Sequence, residues 1–219
     1  MTIYETSIDT CRAQVGELAE ATRSLLEALT LTKVGSGELE EATAAIRDVT
    51  RRLRGAQRAP TDSSPYDLPV SGGRMFSLGH GPGNPMAPPL VYSWDGDEVE
   101  ARCTLGQPYE GPKGHSHGGM TALLLDDVLA RIPQLVGIGR VTRELTITYR
   151  RPVPLDTPLL VRARLESRVD TMFAVTGSIR RDDGSAEDLV SATARFTVLR
   201  DDQLKRINPN WKPGDRWAD

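Results

Sequence analysis

The sequence contains only two cysteines, Cys11 and Cys103, and they lie far apart. Two isolated cysteines cannot supply the clustered ligands of a zinc or iron–sulfur site, and they are typical of free thiols in a reducing compartment. No apolar run approaches the ~20 residues that a membrane-spanning helix requires. The first residues also lack the basic and apolar regions of a signal peptide, so we expect a cytoplasmic protein without a membrane span.

The sequence has no excess of basic charge either. Its 27 lysines and arginines and 30 acidic residues give a net charge of −3, which argues against a nucleic-acid partner. Hydrophobic residues make up 38% and charged residues 26% of the chain, as expected for a soluble globular protein with a real core. A length of 219 residues suffices for one domain and an appendage.

Two helices are predicted at the start of the chain. Apolar residues recur at alternating spacings of three and four over residues 5–31 and again over residues 38–54, and Gly35-Ser36-Gly37 separates the two patterns. We interpret residues 1–58 as a helical hairpin extension. Its apolar stripe must pack on the main domain, a second subunit or another partner.

A proline- and glycine-rich linker follows over residues 59–89. Its seven prolines exclude a regular helix or a central strand. We expect this linker to wrap over the next domain, with one short edge strand near residues 74–78. At the other end of the chain, residues 201–219 form a polar tail to which the sequence assigns no structure.

The segment between linker and tail predicts an α+β domain over residues 90–200. Strand patterns at 90–94 and 98–105 flank an Asp-Gly turn, and further alternating strands occupy residues 142–150, 159–167, 172–180 and 188–199. One strongly apolar helix, residues 119–131, interrupts them before Pro133. One buried helix among antiparallel strands indicates a curved sheet that wraps a helix.

The start and the end of this helix carry the candidate chemistry. His115 and His117 precede a glycine pair that opens the helix, where backbone N–H groups are free, and the apolar run ends in Asp126 and Asp127. A buried acid is costly unless it has a partner. The two acids are rotated by about 100° from one another. One can therefore face a pocket while the other requires solvent or a partner such as Arg131.

Two other uses of these residues have weaker support. His115 and His117 could begin a zinc site, but His80 is the only other histidine, so we expect no metal. Ser116 stands in a G-x-S-x-G pattern, yet the nucleophile elbow that uses this pattern belongs to a parallel sheet, which the sequence does not predict.

Two motifs resemble a known family. The first is His117-Gly118-Gly119 followed by Asp126 (HGG-x6-D), and the second is the strand T-R-E-L-T-I-T-Y-R-R-P-V-P-L that begins at Thr142. Their order and spacing resemble the hotdog-fold thioesterase superfamily, in particular its PaaI-type acyl-CoA thioesterases, which include the THEM-type enzymes. The resemblance covers residues 90–200 and excludes the hairpin and the linker.

The resemblance implies a hotdog fold, in which an antiparallel sheet wraps a central helix. It also implies hydrolysis of an acyl-CoA thioester to a free acid and coenzyme A, without a metal or redox cofactor, and a homodimer or dimer of dimers with active sites at the interface. Asp126 would be the general base or nucleophile, the Gly119 N–H would polarise the thioester carbonyl, Thr142 would help to hold the attacking water, and His117 would shape the loop. The candidate substrate-binding residues are Gly118, Lys113, Arg150 and Arg151.

Helix geometry adds a constraint to this assignment. Gly119 and Asp126 lie seven residues apart, or about 10 Å along the axis. We therefore expect the acid of one subunit to serve the glycine of another. The alternative function is a non-catalytic acyl-thioester-binding protein that uses the hairpin to recruit a partner. A hotdog hydratase is disfavoured because no histidine follows His117.

Overall fold

The computed structural model describes residues 7–60, 62–67, 74–96, 98–132 and 140–207. Four helices and six strands lie in this part of the chain. In chain order they are α1 Ile8–Leu31, α2 Ser36–Leu53, β1 Val91–Asp95, β2 Glu98–Thr104, α3 Gly118–Leu129, β3 Arg140–Tyr149, β4 Pro158–Val169, β5 Met172–Arg181, β6 Val190–Val198 and α4 Asp201–Ile207, with a short 3-10 helix at Gln107–Tyr109.

The six strands form one sheet in the order β1-β2-β4-β5-β6-β3. Every neighbouring pair in the described sheet is antiparallel. β3 is therefore an edge strand, and its pairing with β6 shifts register between Thr142 and Glu144. Such an irregularity redirects the side chains next to it.

The core lies between one face of the sheet and α3. Leu124, Leu125, Val128 and Leu129 of α3 are fully buried, and burial of such a side chain stabilises the fold by about 1.5–3 kcal/mol. The sheet supplies alternate residues, such as Val175 and Ile179 from β5 and Val190, Ala192, Ala194 and Phe196 from β6. The predicted α+β hotdog arrangement, a sheet around a central helix, is confirmed.

Residues 74–90, here called the strap, lie against this domain. Met75 and Ala87 are buried, and the Tyr109 hydroxyl donates to the Ala87 carbonyl at 3.1 Å. The predicted edge strand at 74–78 is wrong, since this segment consists of turns. Its neighbouring amides bond locally, Gly81 N to Ser77 O and Gly83 N to Met75 O, so they do not pair with a strand.

The two N-terminal helices differ in their surroundings. α1 begins after the Ser7 cap, buries Ala19 and contacts the strap, where Arg23 donates to the Asn84 carbonyl at 3.4 Å. α2 is described over its whole length and has no buried residue. Both predicted helices are present; α1 packs on the domain, whereas no residue of α2 is buried.

The tail contains one short element that the sequence did not predict. α4, Asp201–Ile207, has acids in its first turn and bases in its last, which suits the helix dipole. Residues 208–219 lie outside the described residues. Within the described ranges, no helix combines the length and apolarity needed to cross a membrane.

Candidate functional site

The N-terminus of α3 is closed by a histidine. His117 is the N-cap, and its Nδ1 accepts a hydrogen bond from the Gly119 N–H at 3.0 Å. The Tyr149 hydroxyl of β3 donates to the Gly118 carbonyl at 2.8 Å. The Gly119 N–H is thus positioned at the helix terminus as the sequence predicted, but it is occupied by the His117 ring.

The loop before α3 is held by backbone pairing. Gly111 N donates to His115 O, Ser116 N donates to Val153 O, and His117 N donates to Tyr109 O. Lys113 is exposed in this loop. The segment after β3 therefore lies directly beside the loop that carries Lys113.

Neither alternative chemistry gains support in this loop. The buried Ser116 hydroxyl donates to the His117 carbonyl at 3.4 Å, so it is not directed at a general base. The His115 ring Nδ1 is 3.0 Å from the Lys113 carbonyl. No set of three or more histidine, cysteine or acidic side chains that could hold a metal occurs in the described ranges.

Asp126 lies at the other end of α3 and is half-buried. The Thr142 hydroxyl of β3 donates to Asp126 Oδ1 at 2.9 Å, so the structure brings these two predicted residues together. Burial raises the pKa of Asp126 above its ordinary value, the Asp127 charge adds to this effect, and the Thr142 hydrogen bond opposes it. The raised pKa makes Asp126 a stronger base than an exposed aspartate.

Asp127, the neighbouring acid, contacts three side chains. Its Oδ1 is 2.8 Å from His80 Nδ1, and its Oδ2 accepts from the Tyr92 hydroxyl and from Arg131 at 3.4 Å. Its side chain is only 14% exposed. Burial opposes ionisation, but the His80, Arg131 and Tyr92 contacts outweigh it and lower the pKa of Asp127. The charged carboxylate of Asp127 therefore stabilises the contacts with His80, Tyr92 and Arg131.

Sequence reasoning named Arg131 as a partner for the second acid but missed His80 and Tyr92. His80 belongs to the strap, 47 positions before Asp127, and Tyr92 lies on β1. One signal was available: a second acid on a buried helix requires partners, and His80 was the histidine without an assigned role. No sequence pattern distinguished Tyr92 as a partner of Asp127.

The remaining substrate-binding candidates are exposed near the loop. Arg150 and Arg151 follow β3. The backbone N–H of each residue donates to the Leu189 carbonyl at 2.9 Å. Arg151 Nε also contacts Glu187 Oε1 at 2.5 Å. Arg150 and Lys113 are thus better placed than Arg151 to meet a phosphate.

The site residues form two groups on one chain. His117, Gly118 and Gly119 lie at the N-terminus of α3, together with Tyr149 of β3. Asp126 and Thr142 lie about two turns away, or roughly 10 Å along the axis. A single substrate carbonyl cannot contact both groups of the same chain.

Comparison with known proteins identifies the family. Residues 113–187 match the model of the thioesterase superfamily. Acyl-coenzyme A thioesterase THEM4 of Xenopus laevis is 31% identical over 93 residues, which is 42% of this chain and 41% of that protein. Acyl-coenzyme A thioesterase THEM5 of Homo sapiens is 31% identical over 65 residues, which is 30% of this chain and 26% of that protein. The chain thus matches less than half the length of either curated relative.

A solved structure matches nearly the whole chain. The crystal structure of protein RHA08564, a thioesterase superfamily protein, is 31% identical, has a TM-score of 0.72, and is matched over 84% of this chain and 90% of its own. This agreement extends well beyond the central sheet and helix. The chain therefore belongs to the thioesterase superfamily.

Proposed function

We propose that this protein hydrolyses an acyl-CoA thioester to a carboxylic acid and coenzyme A, with Asp126 as the base. The observation that carries the proposal is the Asp126–Thr142 pair, a carboxylate of raised pKa held by a neutral hydroxyl at 2.9 Å in a thioesterase superfamily chain. The two curated relatives are named acyl-coenzyme A thioesterases, which supports the choice of substrate class.

In the proposed reaction, Asp126 removes a proton from water as the oxygen attacks the thioester carbonyl carbon. Thr142 donates to Oδ1, and Oδ2, which has no hydrogen-bond partner among the described residues, would accept from the water. The tetrahedral intermediate then collapses, the C–S bond breaks, and the thiolate of coenzyme A takes up the proton that Asp126 received from water, which regenerates the base. The proposed reaction steps use no metal or redox cofactor. General-base catalysis of this kind contributes about 100- to 10,000-fold to a rate.

The Gly119 N–H is proposed to stabilise the oxyanion, and His117 controls access to it. A carbonyl oxygen binds this N–H only after His117 Nδ1 leaves it. The His117 side chain can turn outward because the residue is exposed. An oxyanion donor of this kind is worth about 2.7–4 kcal/mol in the transition state.

The two groups on α3 require a second copy of the chain. We propose a homodimer in which Asp126 of one copy and Gly119 of the other meet one substrate. β3 is the edge strand that carries Thr142, and no strand of the described sheet pairs with its outer side, which would pair with another chain. Phosphates of coenzyme A would meet Lys113 and Arg150 beside the loop.

The test is a thiol-release assay over a panel of aliphatic and aromatic acyl-CoAs. Asp126→Asn should lower kcat by about 100-fold or more because asparagine cannot accept the proton. Circular dichroism and size-exclusion chromatography verify that the variant keeps its fold. Wild type without turnover on any acyl-CoA, or Asp126→Asn with full activity, would contradict the proposal. Tight acyl-CoA binding without turnover would favour the alternative, a non-catalytic thioester-binding protein.

A further inference from the structure

Helix α2 presents an apolar stripe to solvent. Leu39, Ile46, Val49 and Leu53 are 42%, 43%, 45% and 55% exposed, and none of the 18 residues of the helix is buried. With Ala42 they follow spacings of three, four, three and four, the repeat of a coiled-coil seam. An isolated helix of this length is marginal in water, so a contact along the seam is required to stabilise it.

The charges beside the seam identify what fits it. Glu38, Ala45 and Arg52 occupy one flank of the stripe at intervals of seven residues. In an antiparallel coiled coil, positions on the same flank of the two helices face each other. A second α2 in the opposite direction therefore places Arg52 opposite Glu38 at both ends and Ala45 opposite Ala45 in the middle.

The seam is complementary in size in the same register. Ala42 of each helix lies opposite Ile46 of the other, so a small residue meets a large one in both central layers. Leu39 lies opposite Val49 in the two outer layers. Opposed small and large residues allow two helices to interdigitate without voids. Apolar fit and charge thus select one register, and that register is two-fold symmetric.

We infer that α2 pairs in an antiparallel manner with α2 of a second copy of this chain. Leu39, Ala42, Ile46 and Val49 form the buried seam, and Glu38 and Arg52 form two ion pairs across it. This contact lies outside the hotdog domain and does not depend on thioester hydrolysis. The protein thereby has a self-association surface separate from edge strand β3.

Helix dipole effects offer a different reason for the same charges. Glu38 lies in the first turn of α2 and Arg52 in the last, where each is favourable within a single helix. The two explanations predict different results when the charges of Glu38 and Arg52 are exchanged. In a single helix, Glu38→Arg and Arg52→Glu are both unfavourable and their combination is worse, whereas across an antiparallel pair the combination restores both ion pairs.

The experiment measures cross-linking of full-length protein by a short-arm bismaleimide. Cys11→Ser removes the accessible native thiol, since Cys103 is buried. Ala45→Cys is then compared with Ala44→Cys, which lies on the opposite face of the same helix. We expect Ala45→Cys to form a covalent dimer about tenfold faster than Ala44→Cys, because pairing raises the local concentration of the two thiols.

The charge variants are then measured in the Ala45→Cys background. Each single reversal should slow cross-linking by roughly threefold or more, and the double exchange should recover it. Equal cross-linking rates for Ala45→Cys and Ala44→Cys would overturn the pairing. An Ala45→Cys protein that the bismaleimide does not modify, and that forms no covalent dimer, would overturn it too. A double exchange that cross-links more slowly than either single reversal would also overturn it, in favour of the dipole explanation.

Discussion

Asp126 and Asp127 are adjacent in sequence, yet their surroundings shift their pKa values in opposite directions. Asp126 is half-buried, with one neutral hydroxyl partner, and its pKa is raised. Asp127 is enclosed by His80, Tyr92 and Arg131, and its pKa is lowered. One carboxylate is therefore suited to accept a proton, while the other remains charged and connects the strap, β1 and α3.

Replacement of Thr142 by valine should move the acid limb of the pH–activity profile to higher pH. The Thr142 hydroxyl stabilises ionised Asp126 and so lowers its pKa against the effect of burial. Without that hydrogen bond the pKa rises further, and the base is lost at a higher pH. The measurement is kcat against pH for wild type and variant. Thr146→Val on the same strand is the matched control, because Thr146 is exposed and pairs with Thr193 of β6. An unmoved acid limb in Thr142→Val would contradict the proposed role.

The paired substitutions Asp126→Asn and Asp127→Asn should have opposite consequences for stability. Asp127→Asn weakens three part-buried hydrogen bonds and should lower the free energy of unfolding by about 1–3 kcal/mol. Asp126→Asn should leave it unchanged or slightly higher, since its raised pKa means that the charged form is disfavoured in the folded state. Urea unfolding at neutral pH measures both. A destabilised Asp126→Asn beside a stable Asp127→Asn would reverse the assignment.

The same pair has a pH signature. Because the folded-state pKa of Asp127 is lowered, its stabilising contribution is complete above its ordinary pKa, near about 4, and disappears as pH falls through the lowered value. Asp127→Asn should therefore flatten the acid side of the stability profile, whereas Asp126→Asn should not.

At the scale of elements, the strap couples the N-terminal helix to the domain. Gly83 of the strap lies where a Cβ would approach Met75 and Val15 to 2.9 Å, and Val15 belongs to α1. Met75 is itself buried, so little space is left for relaxation. The close fit of these three residues holds α1 against the strap.

Gly83→Ala should consequently destabilise the protein by about 1–3 kcal/mol, because the added methyl group overpacks this contact. Gly16→Ala is the matched control. It lies within α1 with no atom within 4 Å of the added Cβ, and it should stabilise the helix by about 0.5–1 kcal/mol. Thermal unfolding of both variants gives the comparison. A neutral Gly83→Ala would mean that α1 and the strap are not tightly packed.

For the whole molecule, we propose a site assembled from two chains, because about 10 Å separates Gly119 from Asp126 along α3. Asp126→Asn removes the acid and Gly119→Leu obstructs the helix N-terminus, so each variant alone should be inactive. In a mixed dimer, the Gly119→Leu copy supplies Asp126 and the Asp126→Asn copy supplies Gly119. Random mixing should therefore restore about a quarter of wild-type activity. A mixture that stays inactive, while differently tagged copies co-purify, would place both groups of each site in one chain.

The sequence by itself determined the α+β class, both N-terminal helices, the central helix and where strands occur along the chain, but not their order β1-β2-β4-β5-β6-β3 in the sheet. Periodicity carries this information, since burial on one face imposes a repeat of 3.6 in a helix and of 2 in a strand. The motif at residues 117–126 spans the start of α3 and Asp126, and the sequence placed Asp127 beside it on the same helix. Local signals of this kind depend only on neighbours along the chain.

Only the tertiary structure decided which partner each acid has. The His80–Asp127 contact joins residues 47 positions apart, and the Thr142–Asp126 contact joins residues 16 positions apart. Neither leaves a periodic trace in the sequence, because a single polar contact constrains one side chain rather than a repeat. The same holds for the His117 ring on the Gly119 N–H, a local bond whose formation depends on how the preceding loop is held. Chain pattern thus determined where the acids stand, and long-range packing determined that Asp127 contacts His80, Tyr92 and Arg131 while Asp126 contacts Thr142.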